Sequence, residues 1–302
     1  MGSLQPGPRL YRLGPAARVA AMDGAGPLLL DQFPIAAPMQ RVKGRGELTL
    51  RSDAGRAAIV RLYQEGAAKL RLPNRHGAAA VEAVLINSAG GMTGGDHMDW
   101  RFEAGDGVAM VLTTQACDKV YKASAGSAEV RTHLHVGAKS RIDWLPQETI
   151  VFDHAALDRR LEADIAPGGK LLAVEAVLMG RRAMGETLTH ASIRDRWRIR
   201  RDGRLIFADD VRLEGDIAQT AGRAAVLGGA SAYASILLVS DEAEDLLDPL
   251  RAAVGGAGGA SAFDGKLFCR IAATDGADLR RRLVAALGVL RGEAPLPRVW
   301  SL

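Results

Sequence analysis

Aromatic residues make up only 5% of this 302-residue chain, and its cysteines number two. Scarce aromatics argue against a nucleic-acid surface, which sets stacking rings among a basic stripe. The 39 Lys and Arg against 35 Asp and Glu leave a net charge of +4 that is scattered, not gathered in blocks. Four Trp and four Tyr spread along the chain also give little to a carbohydrate-binding β module, which needs exposed aromatic platforms. Cys117 and Cys269 lie far apart and belong to no CxxC pair, so neither a zinc knuckle nor a disulfide framework is indicated, and a reducing, cytoplasmic setting is expected. No stretch approaches the roughly 20 apolar residues of a membrane span. The first 30 residues carry Pro and Gly throughout, with no apolar run of signal-peptide length.

What the chain does have is length and short-range periodicity. A chain of this size buries roughly three quarters of its unfolded surface and needs no staples. Residues 1–39 read as a flexible leader, with the ordered chain beginning near Gln40. Over residues 40–215 apolar residues alternate with polar ones in short runs separated by Gly and Asp turns, the period of half-buried strands. The run "GELTLRSDAGRAAIVRLYQEG" turns at Ser52–Gly55, with Leu48, Leu50, Ile59 and Leu62 expected to face inward. Similar units turn at Ala104–Gly107, Val136–Lys139, Pro167–Gly169 and Asp202–Gly203. Each hairpin-like unit must cover its apolar edge with the next, which predicts a mainly β domain of stacked layers, sandwich-like or solenoid-like. Residues 216–302 read as a small α+β portion packed on that domain, its order strand, helix, strand, helix, with Gly255–Ala260 a flexible connector.

Gly90, Gly91, Gly94 and Gly95 fall within six residues, as in phosphate loops, but the motif GxxxxGK[ST] is absent and the next residue is Asp96, which would repel phosphate. The Rossmann spacing fails too, because a strand and not a helix follows. A close backbone crossing or a plain turn remains. His133 and His135 share one strand face with Arg131, and no third ligand stands at a matching spacing, so a solvated face is expected. Three carboxylates stand out: Asp96 closes the glycine turn, Glu148 follows "WLPQ", and Glu175 interrupts the apolar run "LLAVEAVLMG". An acid within an apolar run must face water or be paired, and Arg181 and Arg182 follow Glu175 closely. There is no GxSxG, no HExxH, and no His companion for Cys117 in sequence. Two of the carboxylates, Glu148 with Asp96 or Glu175, would suit a carboxylate-pair hydrolase if they flanked a cleft.

The blocks "LINSAGGMTGGD", "TTQACDKVYKAS", "WLPQETIVFD" and "EAVLMGRRAMGE", in this order and at these intervals, resemble the urease accessory protein UreD (UreH) family. The resemblance is strong over about Gly46–Gly215. It implies a stacked, helical arrangement of β-strands with a small helical portion, and a scaffold rather than an enzyme. It further implies binding to apo-urease and to UreF, with the GTPase UreG joining through UreF. No permanently bound cofactor is implied, only nickel in transit to the urease active site. Family acidic positions along an internal nickel passage carry over to Asp96, Glu148 and Glu175. Cys117 stands where a small residue is expected, and a buried inert role for it outweighs that of a thiolate ligand.

Overall fold

A computed structural model describes residues 41–73, 79–180, 188–292 and 294–301. The expected leader over residues 1–39 lies outside them, as do Arg181 and Arg182.

The described chain opens with a hairpin of β1 (Lys43–Asp53) and β2 (Arg56–Gly66), followed by β3 (Ala68–Arg71) and β4 (Val81–Asn87). From there the strands alternate between two sheets. β5 (His97–Ala104), β8 (Ala128–Val136), β11 (Ala156–Ile165) and β13 (His190–Arg201) extend the first sheet from β1, each parallel to the one before. β6 (Ala109–Thr114), β9 (Arg141–Leu145) and β12 (Lys170–Met179) extend the second from β4, also in parallel. The short β7 (Asp118–Val120) and β10 (Thr149–Val151) pair beside the end of β12.

The stacked β class expected from the sequence is the observed one, but its units are not hairpins. At Ala104–Gly107, Val136–Lys139 and Pro167–Gly169 the chain turns a corner and enters the other sheet. These corners stack on one another. Gly107 donates to Ala138 O (2.9 Å), Ser140 Oγ to Gly105 O (2.6 Å) and Lys170 N to Ser140 O (2.8 Å). A Cβ on Gly137 would lie 2.7 Å from Asp106 Oδ1 and 2.9 Å from Ala104 O, so this crossing admits only glycine. True antiparallel hairpins stand at the edges of the first sheet, β1–β2 and, across Asp202–Gly203, β13–β14 (Arg204–Asp216), which the short helix α1 (Ile217–Gly222) follows.

Alternation then builds the core. Met98, Trp100 and Phe102 of β5, Leu161 and Ile165 of β11, and Trp197 and Ile199 of β13 meet Met110, Trp144, Leu171 and Val177 of the second sheet. The other face of the second sheet is covered by α2 (Leu247–Val254) and α3 (Gly276–Arg291), whose Leu250, Leu279, Leu283 and Leu287 pack on Leu172, Val174 and Ile236. β12 is therefore buried on both faces, and so reads as a nearly unbroken apolar run. Asp275 caps α3 by accepting from Asp278 N (2.8 Å). β15 (Ala232–Val239) pairs with β12, β17 (Lys266–Ala273) with β15, and β16 (Gly258–Phe263) with β17.

Two local expectations are corrected. Ile59 and Leu62 pair with Leu50 and Leu48 and so lie on the inward side, yet they are 54% and 43% exposed. β2 is an edge strand exposed over nearly its whole length, so correct facing brings no burial there. Gly258–Ala260 belong to β16 and not to a flexible connector.

Candidate functional site

The four sequence blocks, the last of them described over residues 175–180, come together at the C-terminal ends of the second-sheet strands. Met92 bridges to Val120, β7 pairs in parallel with β10, and β10 with Val177–Met179 of β12. Segments far apart in the chain thus lie side by side, each one coil further along the stack. Gly94 touches the loop at Ala123–Gly126, and Gly95 N donates to Ser127 O (2.9 Å). The glycine turn serves close backbone packing, with a strand following it.

Just inside these loops the apolar rows are broken at three places. Arg159 stands in the row of Leu157, Leu161 and Ala163; Asp195 in the row of Ile193 and Trp197; Glu175 in the row of Ala173 and Val177. Arg159 and Asp195 are register partners on adjacent strands, and Glu175 faces them from the second sheet. Arg159 is 5% exposed. Its Nη1 lies 2.6 Å from Glu175 Oε2 and 3.0 Å from Thr149 Oγ1, and its Nη2 lies 2.6 Å from Asp195 Oδ2. Trp144 Nε1 donates to Glu175 Oε1 (2.9 Å).

This polar level borders a cavity of about 40 Å³, lined by Asp118, Arg159, Glu175, Asn87 and Thr149 among apolar neighbours. Such a volume holds roughly one to three water molecules. A more open cavity of about 180 Å³ shares Asn87, Thr114 and Asp118 in its wall and adds Gly90, Cys117 and Lys119 toward the surface. Burial pushes the Glu175 carboxyl up to about 7 against the pull of Arg159, and likewise Asp118 to about 6. Burial opposes the charge of Arg159 too, but Asp195 and Glu175 outweigh it and hold the guanidinium protonated.

The structure separates the three carboxylates singled out from the sequence. Glu175 lies between the sheets, and its partner is Arg159. Glu148 is tied to Arg280 of α3, the helix on the second sheet's other face. Its Oε1 is buried with no hydrogen bond among the described residues. Asp96 is buried in the glycine turn, where Oδ1 accepts from Val42 N (2.8 Å) and Oδ2 from Thr93 N (2.7 Å). Asp96→Asn would set an amide against one of these donors and is expected to cost about 1.5 kcal/mol, read as a lowered midpoint in urea. Neither Glu148 nor Asp96 lines the cavity beside Glu175, so the paired-carboxylate hydrolase lacks its geometry among the described residues.

Among the described residues no group of three or more His, Cys, Asp and Glu can hold a metal ion. His133 and His135 lie on the outer face of the first sheet, His133 beside Glu162 (3.5 Å). Half-buried Cys117 has its Sγ 3.4 Å from Glu148 Oε2; burial, with the Glu148 charge adding to it, pushes the thiol up to about 11, so it is protonated at neutral pH.

Asp153 sews the Phe152–Ala155 turn to the start of β13, accepting from Thr189 N (2.8 Å), Thr189 Oγ1 (2.9 Å) and His190 N (3.0 Å). Burial would raise its carboxyl, but these donors outweigh it and hold the group at about 2. A depressed carboxyl stabilises the fold fully above its unfolded pKa near 4, and that contribution is lost as pH falls through about 2. Acid titration should therefore show wild type and Asp153→Ala converging in stability between about pH 4 and 2. A constant difference across that range would exclude this linkage.

Asp118, Arg159 and Asp195 were not found from the sequence, although Arg159 and Asp195 carried a signal: each is a charged residue at an apolar position of a period-two strand. No comparable signal marks Asp118, which follows Cys117 in a three-residue strand.

Among the described residues no helix is long and apolar enough to cross a membrane. A family model described as UreD urease accessory protein matches residues 42–301. Similar proteins include the urease accessory protein UreD of Rhizobium leguminosarum bv. trifolii (strain WSM2304), 55% identical over 264 residues, which are 87% of this chain and 96% of that protein. The UreD of Mesorhizobium japonicum is 51% identical over 87% of this chain and 95% of its own length. That of Agrobacterium fabrum is 49% identical over 87% and 92%.

Proposed function

The chain belongs to the UreD family of urease accessory proteins, and on that premise we propose that it acts in urease maturation as a non-catalytic scaffold, binding apo-urease and UreF, with the GTPase UreG joining through UreF. Nickel is its cargo, moving from UreG toward the urease active site. The observation that carries the routing is the polar level between the sheets: Glu175 and Asp118 border a small cavity that shares part of its wall with a larger one among the four blocks. Glu148 offers the lone pairs of its unbonded Oε1. Asp96, with both oxygens on backbone amides, would meet nickel by releasing one of them.

Transit favours weak ligands. A Kd near 1 μM with association near 10⁹ M⁻¹s⁻¹ gives release about a thousand times per second, whereas a picomolar site would hold the ion for many minutes. Scattered carboxylates, carbonyls and water meet that need better than a closed His/Cys cluster.

Co-purification of the chain with UreF and apo-urease tests the scaffold, and nickel delivered to apo-urease by that complex tests the route. A co-eluting complex is expected, and Glu175→Gln should slow delivery at least about tenfold while leaving the complex intact. A chain that elutes alone while UreF and urease are intact would overturn the scaffold. Wild-type delivery by Glu175→Gln would overturn the route through this cavity.

A further inference from the structure

A guanidinium in the wall of a route for a divalent cation is at first sight misplaced. We infer that Arg159 is the resident counter-ion of that route: with one fixed positive charge it occupies the place between Glu175 and Asp195 that a divalent metal would otherwise take, and so keeps these carboxylates from trapping the cargo. The inference rests on the nickel routing proposed above.

Both terminal nitrogens of Arg159 are committed, one to each carboxylate. The acceptors come from two sheets, with Asp195 beside Arg159 on the neighbouring strand and Glu175 opposite it. Glu175 is fully engaged, Oε2 by Arg159 and Oε1 by Trp144. Asp195 gives Oδ2 to Arg159, while its Oδ1 is buried without a hydrogen bond among the described residues, as is Arg159 Nε. One cation thus faces two carboxylates, and the cluster keeps unused acceptor capacity.

The charges set the consequence. With Glu175, Asp195 and Asp118 all ionised, Arg159 leaves a charge of −2 across the level that borders the cavity, and −1 where Glu175 holds its proton, net negative in both states and so attractive to a divalent ion. Yet the oxygens that would grip it are held by a group that cannot lose its proton. Without that group, two carboxylates would face one another in a low-dielectric site, and a divalent ion is the natural bridge between them. An ion triad with a purely structural role predicts only lost stability on removal of Arg159. A counter-ion predicts gained metal.

The test uses the chain in its co-purified complex, loaded with nickel chloride, freed of unbound metal by gel filtration and assayed for nickel per chain. Wild type and Arg159→Lys should retain little, whereas Arg159→Gln should retain about one nickel per chain with a Kd at least about 100-fold lower. Adding Glu175→Gln to Arg159→Gln should weaken that retention at least about tenfold, because one carboxylate cannot bridge the ion alone. If Arg159→Gln does not fold, Arg159→Gln/Asp195→Asn removes one charge of each sign and leaves Glu175 without its cation, and it should bind nickel at least about tenfold more tightly than wild type. A folded variant of either kind that retains no more nickel than wild type overturns the counter-ion role. Were wild type to deliver nickel and the variant to hold none, the counter-ion role alone would fall. Were Glu175→Gln to deliver like wild type, the route itself would fall.

Discussion

Gly94→Val is expected to lower stability by about 3 kcal/mol, at the upper end of overpacking penalties. That corresponds to roughly 6–12 °C in Tm for a chain of this size. The cause is space, not backbone conformation, since Gly94 is not among the residues with positive φ. A Cβ there would fall inside the contact distance of Ala125 O, and would lie 2.6 Å from Gly126 O and 2.8 Å from Ala123 Cβ. Two of these neighbours are backbone carbonyls and cannot rotate away. The 123–127 loop cannot yield as a whole either, because Gly95 N donates to Ser127 O, Thr93 Oγ1 to Lys122 O and Ala123 N to His154 O. Gly90 supplies the control: its φ is +77° and nothing lies within 4 Å of its missing Cβ. Gly90→Ala should therefore cost only the left-handed backbone penalty of about 1 kcal/mol. Thermal melts of the two variants decide the point, and equal shifts would overturn the crowding account. Activation of urease should fall with Gly94→Val and persist with Gly90→Ala, because only the former displaces the loops beside Asp96.

Much of this fold was legible because its signals are local. The turn at Ser52–Gly55, the alternation in β5 and β11 and the helix after Asp275 each need only a few neighbouring residues. Which sheet a strand joins is not local. Turns at Ala104–Gly107 and at Asp202–Gly203 look alike in sequence, yet one is a corner between sheets and the other a hairpin within one. The family resemblance supplied what periodicity left open, a helical stack in place of paired hairpins.

The site was legible to the same degree. Glu175 declared itself by interrupting an apolar run that both faces of β12 require. Its described partner is Arg159, brought across the core by the stacking of sheets, while Arg181 and Arg182 lie outside the described residues. Arg159 and Asp195 were hidden by their own strands, where charged residues on the outer face make one more charge unremarkable unless its parity is counted. For Glu148 no short-range pattern could reveal the partner, which stands 132 residues away on α3.

That distant pairing sets the second large effect. Arg280→Ala is expected to cost about 2–4 kcal/mol, below the full penalty for breaking a buried ion pair because the Arg280 side chain is 25% exposed while Glu148 is 3%. The loss has two parts. Arg280 lies 4.5 Å from the Trp300 ring centroid and donates to Gln147 Oε1 (3.0 Å), so it joins the end of the described chain to the block after β9. Trp300 is itself anchored, its Nε1 3.2 Å from both Thr113 Oγ1 and Leu145 O. The larger part is the carboxylate left behind, since among the described residues Glu148 Oε1 already lacks a hydrogen bond and Oε2 would keep only the weak Cys117 contact. Glu148→Gln removes that charge and should restore a large share of the stability lost in Arg280→Ala, giving a coupling of at least about 2 kcal/mol in a double-mutant cycle. A purely additive cycle would mean that Arg280 acts through Trp300 and Gln147, with the ion pair contributing nothing. Reactivity of Cys117 gives an independent readout: the Arg280 charge partly offsets burial at this thiol, so Arg280→Ala should raise its pKa further and slow its modification at a fixed alkaline pH. Removing the neighbouring carboxylate charge in Glu148→Gln should shift the thiol the other way.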